Sequence, residues 1–367
     1  MTVSFLDVGA SYRELREQID AAYARVMSSG RYVGGEEVEA FEREFAAFCG
    51  TRQAIGVGNG LDALTIALRA RGIGAGDEVI VPAHTFIATW LAVARAGATI
   101  VPVDADPQTL LIDVQAVGDA VTPRTAAIIP VHLYGAPVDM DAVATIAAQR
   151  GILLLGDAAQ AHGARLGARD VGALGDVAAF SFYPAKNAGA FGDAGALTTD
   201  DSSLAARARG LRNYGASAPY RFAEPGLNSR LDPLQAAFLR VKLAALSRWN
   251  ERRRAIAHTY RTQLRAVPDL ILPPAAPPGT QPVWHLFCVR HHRRDGLADH
   301  LARSGVATQI HYPQPPHRSE AFADLGFAPG SFPVTEAAAD TLLSLPIGPH
   351  LDDAAVQAVV EAVQTFA

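Results

Sequence analysis

Residues 180–195, FSFYPAKNAGAFGDAG, place a single lysine, Lys186, in a segment made mostly of small, aromatic and glycine residues. Apolar neighbours lower the pKa of a lysine amine and make it a nucleophile that can form a Schiff base with an aldehyde or ketone. Gly189, Gly192 and Gly195 also let the backbone approach another group closely. An ordinary surface lysine is the alternative, but these features favour either an anion ligand or a reactive amine at Lys186.

An acidic residue 29 positions earlier adds a second reactive group. Asp157 follows the apolar run ILLLG, at the expected carboxyl end of a strand. A carboxylate there could face a ring nitrogen of a cofactor and keep it protonated. A lysine for the aldehyde and an acid for the pyridinium are the two groups that pyridoxal phosphate requires from its protein. Because most chains contain such a pair somewhere, it indicates this cofactor only weakly.

The segment VGNGLDAL, residues 57–64, is a candidate phosphate site. It leaves a strand, turns at glycines and opens a helix, so the amides of Gly60, Leu61 and Asp62 can point at an anion. An ordinary strand-to-helix turn explains the segment equally well. The GxGxxG pattern of nicotinamide-binding proteins lacks its third glycine here, which disfavours a dehydrogenase. Ser181 is a candidate hydroxyl donor to the same phosphate.

Phe86, in PAHTFIATW, follows another strand and can stack on a pyridine ring. A core phenylalanine is an equally good interpretation of this residue taken alone.

Strands alternate with helical segments from about residue 36 to 200. EEVEAFEREFAAFCG predicts an amphipathic helix that ends at Gly50. Alternation of this kind predicts an α/β fold with a mostly parallel sheet whose ligands lie beyond the carboxyl ends of the strands. The predicted buried strands are AIGVG (54–58), EVIVP (78–82), TIVPVD (99–104), AAIIPVHLYG (126–135) and ILLLGDAA (152–159).

The pattern changes after residue 200. A helix of roughly ten turns is predicted to begin with Asp232 as N-cap and Pro233 at the first helical position. A proline-rich connector follows, and then a strand, VWHLFCVR, mixed with helices. We therefore predict a large α/β domain at 1–231 with an N-terminal helical segment, a linking helix at 232–268 and a small α+β domain at 269–367.

Composition limits the class of function. The 367 residues are 49% hydrophobic and 19% charged, which is typical of a globular enzyme, and the net charge of −5 disfavours nucleic-acid binding. Cys49 and Cys288 are too few for a disulfide framework or a CxxC metal site, so no metal is expected. Without an N-terminal signal pattern or an apolar run of membrane-spanning length, the sequence predicts a cytoplasmic protein with no membrane partner.

Nine segments in order resemble the DegT/StrS-type nucleotide-sugar aminotransferases over nearly the whole chain. These segments are VGNGLDAL, VPAHTFIATWLAV, VHLYG, DAAQAHGA, FSFYPAKNAGAFGDAG, NYG, NSRLDPLQAA, HYPQPPH and SLPIGPHL. The resemblance implies an enzyme of the aspartate-aminotransferase fold (fold type I), with a large mixed, mostly parallel sheet. It also implies pyridoxal 5'-phosphate as cofactor, with pyridoxamine phosphate as the intermediate form.

The same resemblance implies roles for individual residues. Lys186 is the expected Schiff-base lysine and Asp157 the partner of the pyridine nitrogen, and both are the expected catalytic residues. The other expected cofactor contacts are Gln160 beside the ring hydroxyl, Phe86 on the ring, Gly60, Leu61 and Ser181 on the phosphate, and Asn228 reaching that phosphate from the second subunit of a homodimer. Ala194 replaces a glycine of the usual GDGG, a small change that puts no catalytic role in doubt.

The expected substrates are L-glutamate, released as 2-oxoglutarate, and a TDP-keto-sugar. GNGLDAL, TFIATWLAV and HLYGAP are most similar to the subgroup that acts on TDP-linked 3-keto-6-deoxyhexoses for antibiotic-type deoxyamino sugars. Candidate substrate contacts are Tyr183, Tyr220, Arg221, His311 and Tyr312. For His311 a structural role among prolines is an equal alternative, and for Arg221 a solvated surface position is the simpler one.

Two other functions stay open at this point. The related 4-keto-sugar aminotransferases are one alternative. A non-catalytic, pyridoxal-phosphate-binding regulator is another, although no helix-turn-helix pattern or basic extension precedes residue 36. A desulfurase would need a mobile reactive cysteine, which neither Cys49 at a helix end nor Cys288 in a strand pattern supplies.

Overall fold

The computed structural model describes residues 2–366. Its α-helices are α1 Ala10–Glu14, α2 Arg16–Ser29, α3 Glu36–Cys49, α4 Gly60–Arg71, α5 Ala88–Ala96, α6 Val114–Ala120, α7 Met140–Ala148, α8 Ser202–Leu211, α9 Pro233–Gln263, α10 Arg294–Arg303, α11 Pro333–Thr341 and α12 Asp353–Gln364. Its strands are β1 Gln53–Val57, β2 Glu78–Pro82, β3 Thr99–Val103, β4 Thr125–Ile128, β5 Leu153–Asp157, β6 Arg165–Leu166, β7 Arg169–Asp170, β8 Val177–Ser181, β9 Gly195–Thr199, β10 Ala216–Ala218, β11 Arg221–Phe222, β12 Thr280–Gln281, β13 Phe287–Arg290 and β14 Leu342–Leu345.

The main sheet has seven strands in the order β1-β9-β8-β5-β4-β2-β3. Strand β9 runs antiparallel to both of its neighbours, and the other neighbouring pairs are parallel. The carboxyl ends of six strands therefore meet at one edge, with β5 and β8 near the middle. This mixed, mostly parallel sheet with helices around it confirms the predicted fold class.

Alternate strand residues face two different cores. Ile80 and Leu154 point into the core on one face of the sheet. Their neighbours Val79 and Leu153 point into the core on the other. Because helices cover both faces, the strands are apolar at nearly every position, which is why they are recognisable as short apolar runs.

Four of the five predicted strands correspond to β1, β2, β3 and β5 within two residues at each end, and α3 is capped by Gly50 in the left-handed conformation as predicted. The fifth prediction, residues 126–135, was too long, because β4 ends at Ile128 and Leu133–Gly135 form a 3-10 turn. The sequence analysis missed β8 and β9, which flank Lys186. Their sequences, VAAFS and GALTT, are short and contain few large apolar residues. With the glycines between them, residues 180–195 were interpreted as one turn. The Lys186 segment is thus a connection between two central strands.

Helix α9 spans both parts of the chain. Ala236 and Leu239 pack in a core of the main sheet, whereas Ile256 and Tyr260 pack with the C-terminal elements. The helix has 31 residues, about nine turns, and is shorter than the predicted ten because it ends at Gln263. Asp232 occupies the predicted N-cap position, but its side chain makes no capping hydrogen bond.

The C-terminal part is built on an antiparallel pair, β13 with β14, covered by α10 and α12. Val3, near the N-terminus, packs into the same core and pairs with Val306. This part places the segment that contains His311 and Tyr312 over the carboxyl edge of the main sheet.

Residues 2–366 contain neither a membrane-spanning helix nor a cluster of metal ligands. None of its helices combines the length and apolarity that a membrane crossing requires. Within residues 2–366, no group of three or more His, Cys, Asp or Glu side chains is arranged to hold a metal ion.

Candidate active site

A cavity of about 520 Å³ lies at the carboxyl edge of the main sheet. Its walls come from the ends of β1, β5 and β8, the start of α5 and the segment around residue 311. Ten of the thirteen predicted site residues line it: Gly60, Leu61, Phe86, Asp157, Gln160, Ser181, Tyr183, Lys186, His311 and Tyr312. Asn228, Tyr220 and Arg221 lie elsewhere. We call Gly60, Asp157, Gln160 and Ser181, which follow or end strands of the sheet, the sheet wall.

Asp157 ends β5 beside Ala179 of β8, and its side chain is buried. Its carboxylate accepts hydrogen bonds from Thr89 Oγ1 at 2.9 Å and from the Ala159 backbone N–H at 3.2 Å. Burial raises the pKa of Asp157 above its ordinary value, although these two hydrogen bonds and the charge of Lys186 oppose the rise. The Asp157 carboxylate is therefore fixed in orientation, and a positive charge on a ligand in the cavity would stabilise its ionised form.

Lys186 lies in the turn between β8 and β9, residues 182–194, and its side chain reaches the same cavity. The turn is closed by hydrogen bonds from the Lys186 N–H to the Tyr183 carbonyl, 2.8 Å, and from the Ala190 N–H to the Phe182 carbonyl, 2.7 Å. Burial lowers the pKa of Lys186 to about 8, and the Asp157 carboxylate partly offsets this effect. The amine is consequently neutral in an appreciable fraction of molecules near neutral pH, as a nucleophile requires.

The phosphate segment meets Ser181 at the start of α4. A Cβ on Gly60 would lie only 2.6 Å from the Ser181 Cβ, so glycine is required for this approach. As the first residues of a helix, Gly60 and Leu61 have N–H groups with no acceptor within the helix. The predicted third donor is wrong, because the Asp62 N–H is bonded to the capping Asn59 Oδ1 at 2.8 Å.

Gln160 has its amide orientation set by the backbone. Its Oε1 accepts the Tyr134 N–H at 2.6 Å, and its Nε2 donates to the Tyr312 hydroxyl at 2.9 Å. Because the oxygen is used by Tyr134, the amide nitrogen is the atom that faces the cavity. Gln160 can therefore donate a hydrogen bond to an anionic oxygen there.

Aromatic rings close the cavity on the side away from the sheet. The Phe86 side chain is half exposed, and its ring centroid lies 5.3 Å from that of Tyr312. His311 bonds through Nδ1 to Ser344 Oγ at 2.8 Å. Burial, and secondarily the Lys186 charge, lowers the pKa of His311 to about 4, so this ring is neutral at physiological pH. Tyr183 is exposed at the mouth.

The remaining predicted residues lie outside the cavity of their own chain. Tyr220 and Arg221 belong to β10 and β11 and the turn between them, residues 216–222, which we call the hairpin. Tyr220 is 94% exposed, and Arg221 and Asn228 are exposed as well. The Asn228 side chain is thus accessible to a second chain, whereas Tyr220 and Arg221, predicted as substrate contacts, lie outside this cavity.

Sequence reasoning missed Thr89, Tyr134 and His285. Thr89 supports Asp157, and Tyr134 orients Gln160 and donates its hydroxyl to the His311 carbonyl at 2.6 Å. His285 lines the cavity and is bonded to Asn187. Thr89 and Tyr134 lie within two of the segments used above, TFIATW and VHLYG. For Thr89 a signal was available, because it is a polar residue one helical turn after Phe86 in an otherwise apolar segment.

The arrangement fits pyridoxal phosphate. An amine with a lowered pKa and a buried carboxylate face one cavity, and the start of α4 with Ser181 forms an anion cradle that a Cβ on Gly60 would fill. Gly195 serves the same cradle, since its Cβ would lie 2.5 Å from the Asn59 carbonyl carbon. The donor on Gln160 and the ring of Phe86 complete a set suited to a flat, phosphorylated, anionic ring.

Comparisons with known proteins agree over the full length. The sequence model of the DegT/DnrJ/EryC1/StrS aminotransferase family matches residues 13–364. A dTDP-3-amino-3,4,6-trideoxy-alpha-D-glucose transaminase of Streptomyces venezuelae is 53% identical over 365 residues, which cover 100% of this chain and 96% of that protein. The erythromycin biosynthesis sensory transduction protein EryC1 of Saccharopolyspora erythraea is 53% identical over 367 residues, 100% of both chains. A crystal structure of S. venezuelae DesV in complex with a ketimine intermediate has a TM-score of 0.97 at 53% identity, over 99% of this chain and 98% of that one.

Proposed function

The chain belongs to the DegT/DnrJ/EryC1/StrS aminotransferase family, and we propose that it transfers an amino group from L-glutamate to carbon 3 of a TDP-linked 3-keto-6-deoxyhexose, with pyridoxal phosphate as cofactor. The family, the fold class and the aminotransferase activity predicted from sequence are confirmed. The observation that carries the proposal is the convergence of Lys186 and Asp157 on one cavity beside an anion cradle.

The sugar assignment is supported by the relative named for a TDP-3-amino-trideoxyglucose, which aligns over the whole chain. The cavity adds a physical argument. One side of it is apolar and suits a hexose that lacks hydroxyl groups and ends in a methyl group. The apolar residues on this side are Leu61, Leu64, Ile87 and Leu91.

The cofactor would be held by the groups already described. The N–H groups of Gly60 and Leu61 and the Ser181 hydroxyl would bind the phosphate, the Phe86 ring would stack on the cofactor ring, and Gln160 Nε2 would donate to the ring oxygen. When bound, pyridoxal phosphate supplies an electron-withdrawing ring that accepts the electron pair released at the substrate carbon. Asp157 would accept a hydrogen bond from the protonated ring nitrogen, and its carboxylate, fixed by Thr89 and Ala159, would stabilise that positive charge.

Lys186 Nζ is the proposed proton carrier in both halves of a two-stage exchange. In the first half it removes the α-proton of glutamate as a general base; water then releases 2-oxoglutarate, and the amino group stays on the cofactor. In the second half the keto-sugar takes up this amino group with loss of one water, and Lys186 Nζ delivers a proton to carbon 3 as a general acid. Burial of the amine keeps its pKa near the working pH, which favours transfer in both directions.

We also propose that the enzyme is a cytoplasmic homodimer in which Asn228 of each chain reaches the phosphate of the other. The exposed aromatic residues Tyr23, Tyr32, Tyr220 and Phe222 support an extended contact surface. Both cysteines are unpaired thiols, which is typical of a reducing compartment.

The sequence allows a sharp test, because Lys186 and Lys242 are its only two lysines. Borohydride treatment of the pyridoxal-phosphate-saturated enzyme should label the peptide that contains Lys186, with Lys242 as the internal control. The labelled enzyme and Lys186→Ala should both lose turnover. Label confined to Lys242, or turnover well above background in Lys186→Ala, would refute the role of Lys186.

Substrate choice needs a separate experiment. The enzyme charged with pyridoxamine phosphate is incubated with a panel of TDP-3-keto and TDP-4-keto sugars, and the products are analysed by mass spectrometry and NMR. We expect amination of the 3-keto sugars. Exclusive amination of a 4-keto sugar would overturn the substrate assignment but leave the aminotransferase chemistry intact.

A further inference from the structure

Lys242 is the only lysine besides Lys186, and it lies directly behind the turn that carries Lys186. It is on α9 and only 3% exposed. Within residues 2–366 it has no carboxylate partner, and burial lowers its pKa to about 8. A buried cation without a carboxylate partner is costly for a folded protein, so its remaining contacts must stabilise it.

Its contacts are with the Lys186 turn. Lys242 Nζ donates to the Gly189 carbonyl at 2.7 Å and lies 3.5 Å from the centroid of the Phe191 ring. Gly189 is tightly packed, since a Cβ there would collide with the Pro184 carbonyl oxygen. Lys242 thus binds the turn at a residue that is already packed against Pro184.

Two further residues of α9 hold the same turn. Gln235 Oε1 accepts the Phe191 N–H at 2.8 Å, and Asn250 Oδ1 accepts from Asn187 Nδ2 at 3.0 Å. Spacings of seven and eight residues place Gln235, Lys242 and Asn250 on one face of the helix. This face, which we call the α9 clamp, contacts residues 187, 189 and 191, immediately after Lys186. Lys242 is its central and only charged member.

We propose that Lys242 is a positioning residue, which fixes the location of the Lys186 amine through its hydrogen bond to the Gly189 carbonyl. This inference rests on the proposed role of Lys186 in the reaction. A charged donor makes a stronger bond to a carbonyl than a neutral one, and the Phe191 ring stabilises the cation further. Since an error of about 1 Å in a reacting group can cost about 100-fold in rate, a firm anchor three residues away has a direct effect on turnover.

The two-lysine composition permits a direct readout that does not need the cofactor. Protein labelled with 13C at lysine Cε should give two side-chain signals in the cofactor-free form. Lys242→Met removes one signal and thereby assigns the other to Lys186. We expect the Lys186 signal in Lys242→Met to change its shift and its titration midpoint, and kcat of the loaded enzyme to fall about 10- to 100-fold with KM for glutamate within about twofold.

Lys242→Gln is the matched control, because glutamine keeps an N–H donor of shorter reach and loses the charge. It should lose less kcat than Lys242→Met, and the Lys186 signal should lie closer to the wild-type position. Unfolding midpoints of both variants are measured alongside, since a loss of activity that follows only the loss of folded protein would overturn the proposal.

Other outcomes also decide the question. An unchanged Lys186 signal and kcat in folded Lys242→Met would overturn the positioning role, and so would equal losses in Lys242→Gln. If Lys242→Met does not fold, Gln235→Leu must displace the same Lys186 signal, and an unchanged signal there contradicts the proposal. The two proposals can also fail separately. If the Lys186 signal is displaced in Lys242→Met but the wild-type protein transfers no amino group, the positioning role of Lys242 stands and the proposed function is refuted.

Discussion

The sheet wall and the hairpin carry predicted site residues in opposite physical settings. In the sheet wall, the Asp157 and Gln160 side chains are buried and already engaged by Thr89, Tyr134 and Tyr312. In the hairpin, Tyr220 is 94% exposed, and the Arg221 side chain projects from a short two-stranded ribbon.

The difference separates two requirements of the site. Groups that act on the reacting atoms need an orientation that exists before any ligand arrives, and burial within the strand ends supplies it. Groups that reach a second molecule must stay exposed in the single chain. If the comparison is right, changes in the sheet wall act within one chain, whereas changes near the hairpin act across a pair of chains.

The largest effect is expected from Asp157→Asn in the sheet wall. Loss of the carboxylate charge beneath the ring nitrogen should lower kcat about 10²- to 10³-fold. Folding stability should stay equal or rise, because a buried group with a raised pKa no longer has to ionise. Steady-state kinetics and urea unfolding measure both. Thr89→Val, which removes one hydrogen bond to Asp157, is the control and should have a smaller effect. A kcat within tenfold of wild type in Asp157→Asn would contradict the proposed role of Asp157.

Asn228→Asp tests the exposed side of the comparison. A negative charge beside the partner's phosphate site should lower activity about 10²-fold. Co-expressed with Lys186→Ala, it should restore roughly a quarter of wild-type activity, because half of the dimers are mixed and each mixed dimer has one intact site.

The control for this mixing experiment pairs Lys186→Ala with the double variant Lys186→Ala/Asn228→Asp, which leaves no intact site in any dimer. No recovery in the first mixture would show that the active site is not shared between subunits, whereas recovery in the control would mean that Lys186 is not required for activity.

Tyr312→Phe is expected to have a smaller effect. It removes the hydroxyl that accepts from Gln160 Nε2 but keeps the ring beside Phe86. Loss of one such bond should lower kcat/KM about threefold to tenfold. Tyr220→Phe makes the same chemical change in the hairpin, and we expect less than a twofold change there. Equal effects of the two substitutions would remove the distinction between the two regions.

The smallest effect concerns stability at acid pH. His162 is buried between Phe180 and Phe182, and burial, followed by the Lys186 charge, lowers its pKa to about 3. An unfolded histidine titrates near pH 6.5, so between pH 6.5 and 3 the unfolded chain binds more protons. The free energy of unfolding must therefore fall as the pH decreases through this window.

His162→Phe should reduce that dependence by about 1.4 kcal/mol per pH unit. Urea unfolding at pH 7.5, 6 and 5 measures the slope. The control is His258→Phe, which makes the same substitution at an exposed position of α9. An unchanged slope in His162→Phe would mean that the buried ring is protonated in the native protein.

Much of the sheet wall was predictable because its signals are local. Asp157 follows an apolar run, and Lys186 lies among small and aromatic residues, so each shows its setting within a few neighbours. Thr89 and Tyr134 were missed because their roles depend on which strand ends lie side by side. The Asp62 amide was wrongly included as a donor because a cap by Asn59 is decided by the side-chain rotamer, not by the pattern of glycines.

The sequence by itself determined the strand–helix alternation, the family and the choice of Lys186 and Asp157 as candidate amine and acid, because these depend on residue type and short-range spacing. Only the tertiary structure decided how the groups are oriented and supported. Gln160 bonds Tyr312 across 152 positions, and Lys242 bonds Gly189 across 53. Such pairs form when strand order and helix docking bring distant segments within hydrogen-bond reach, and no local pattern in the chain encodes that distance.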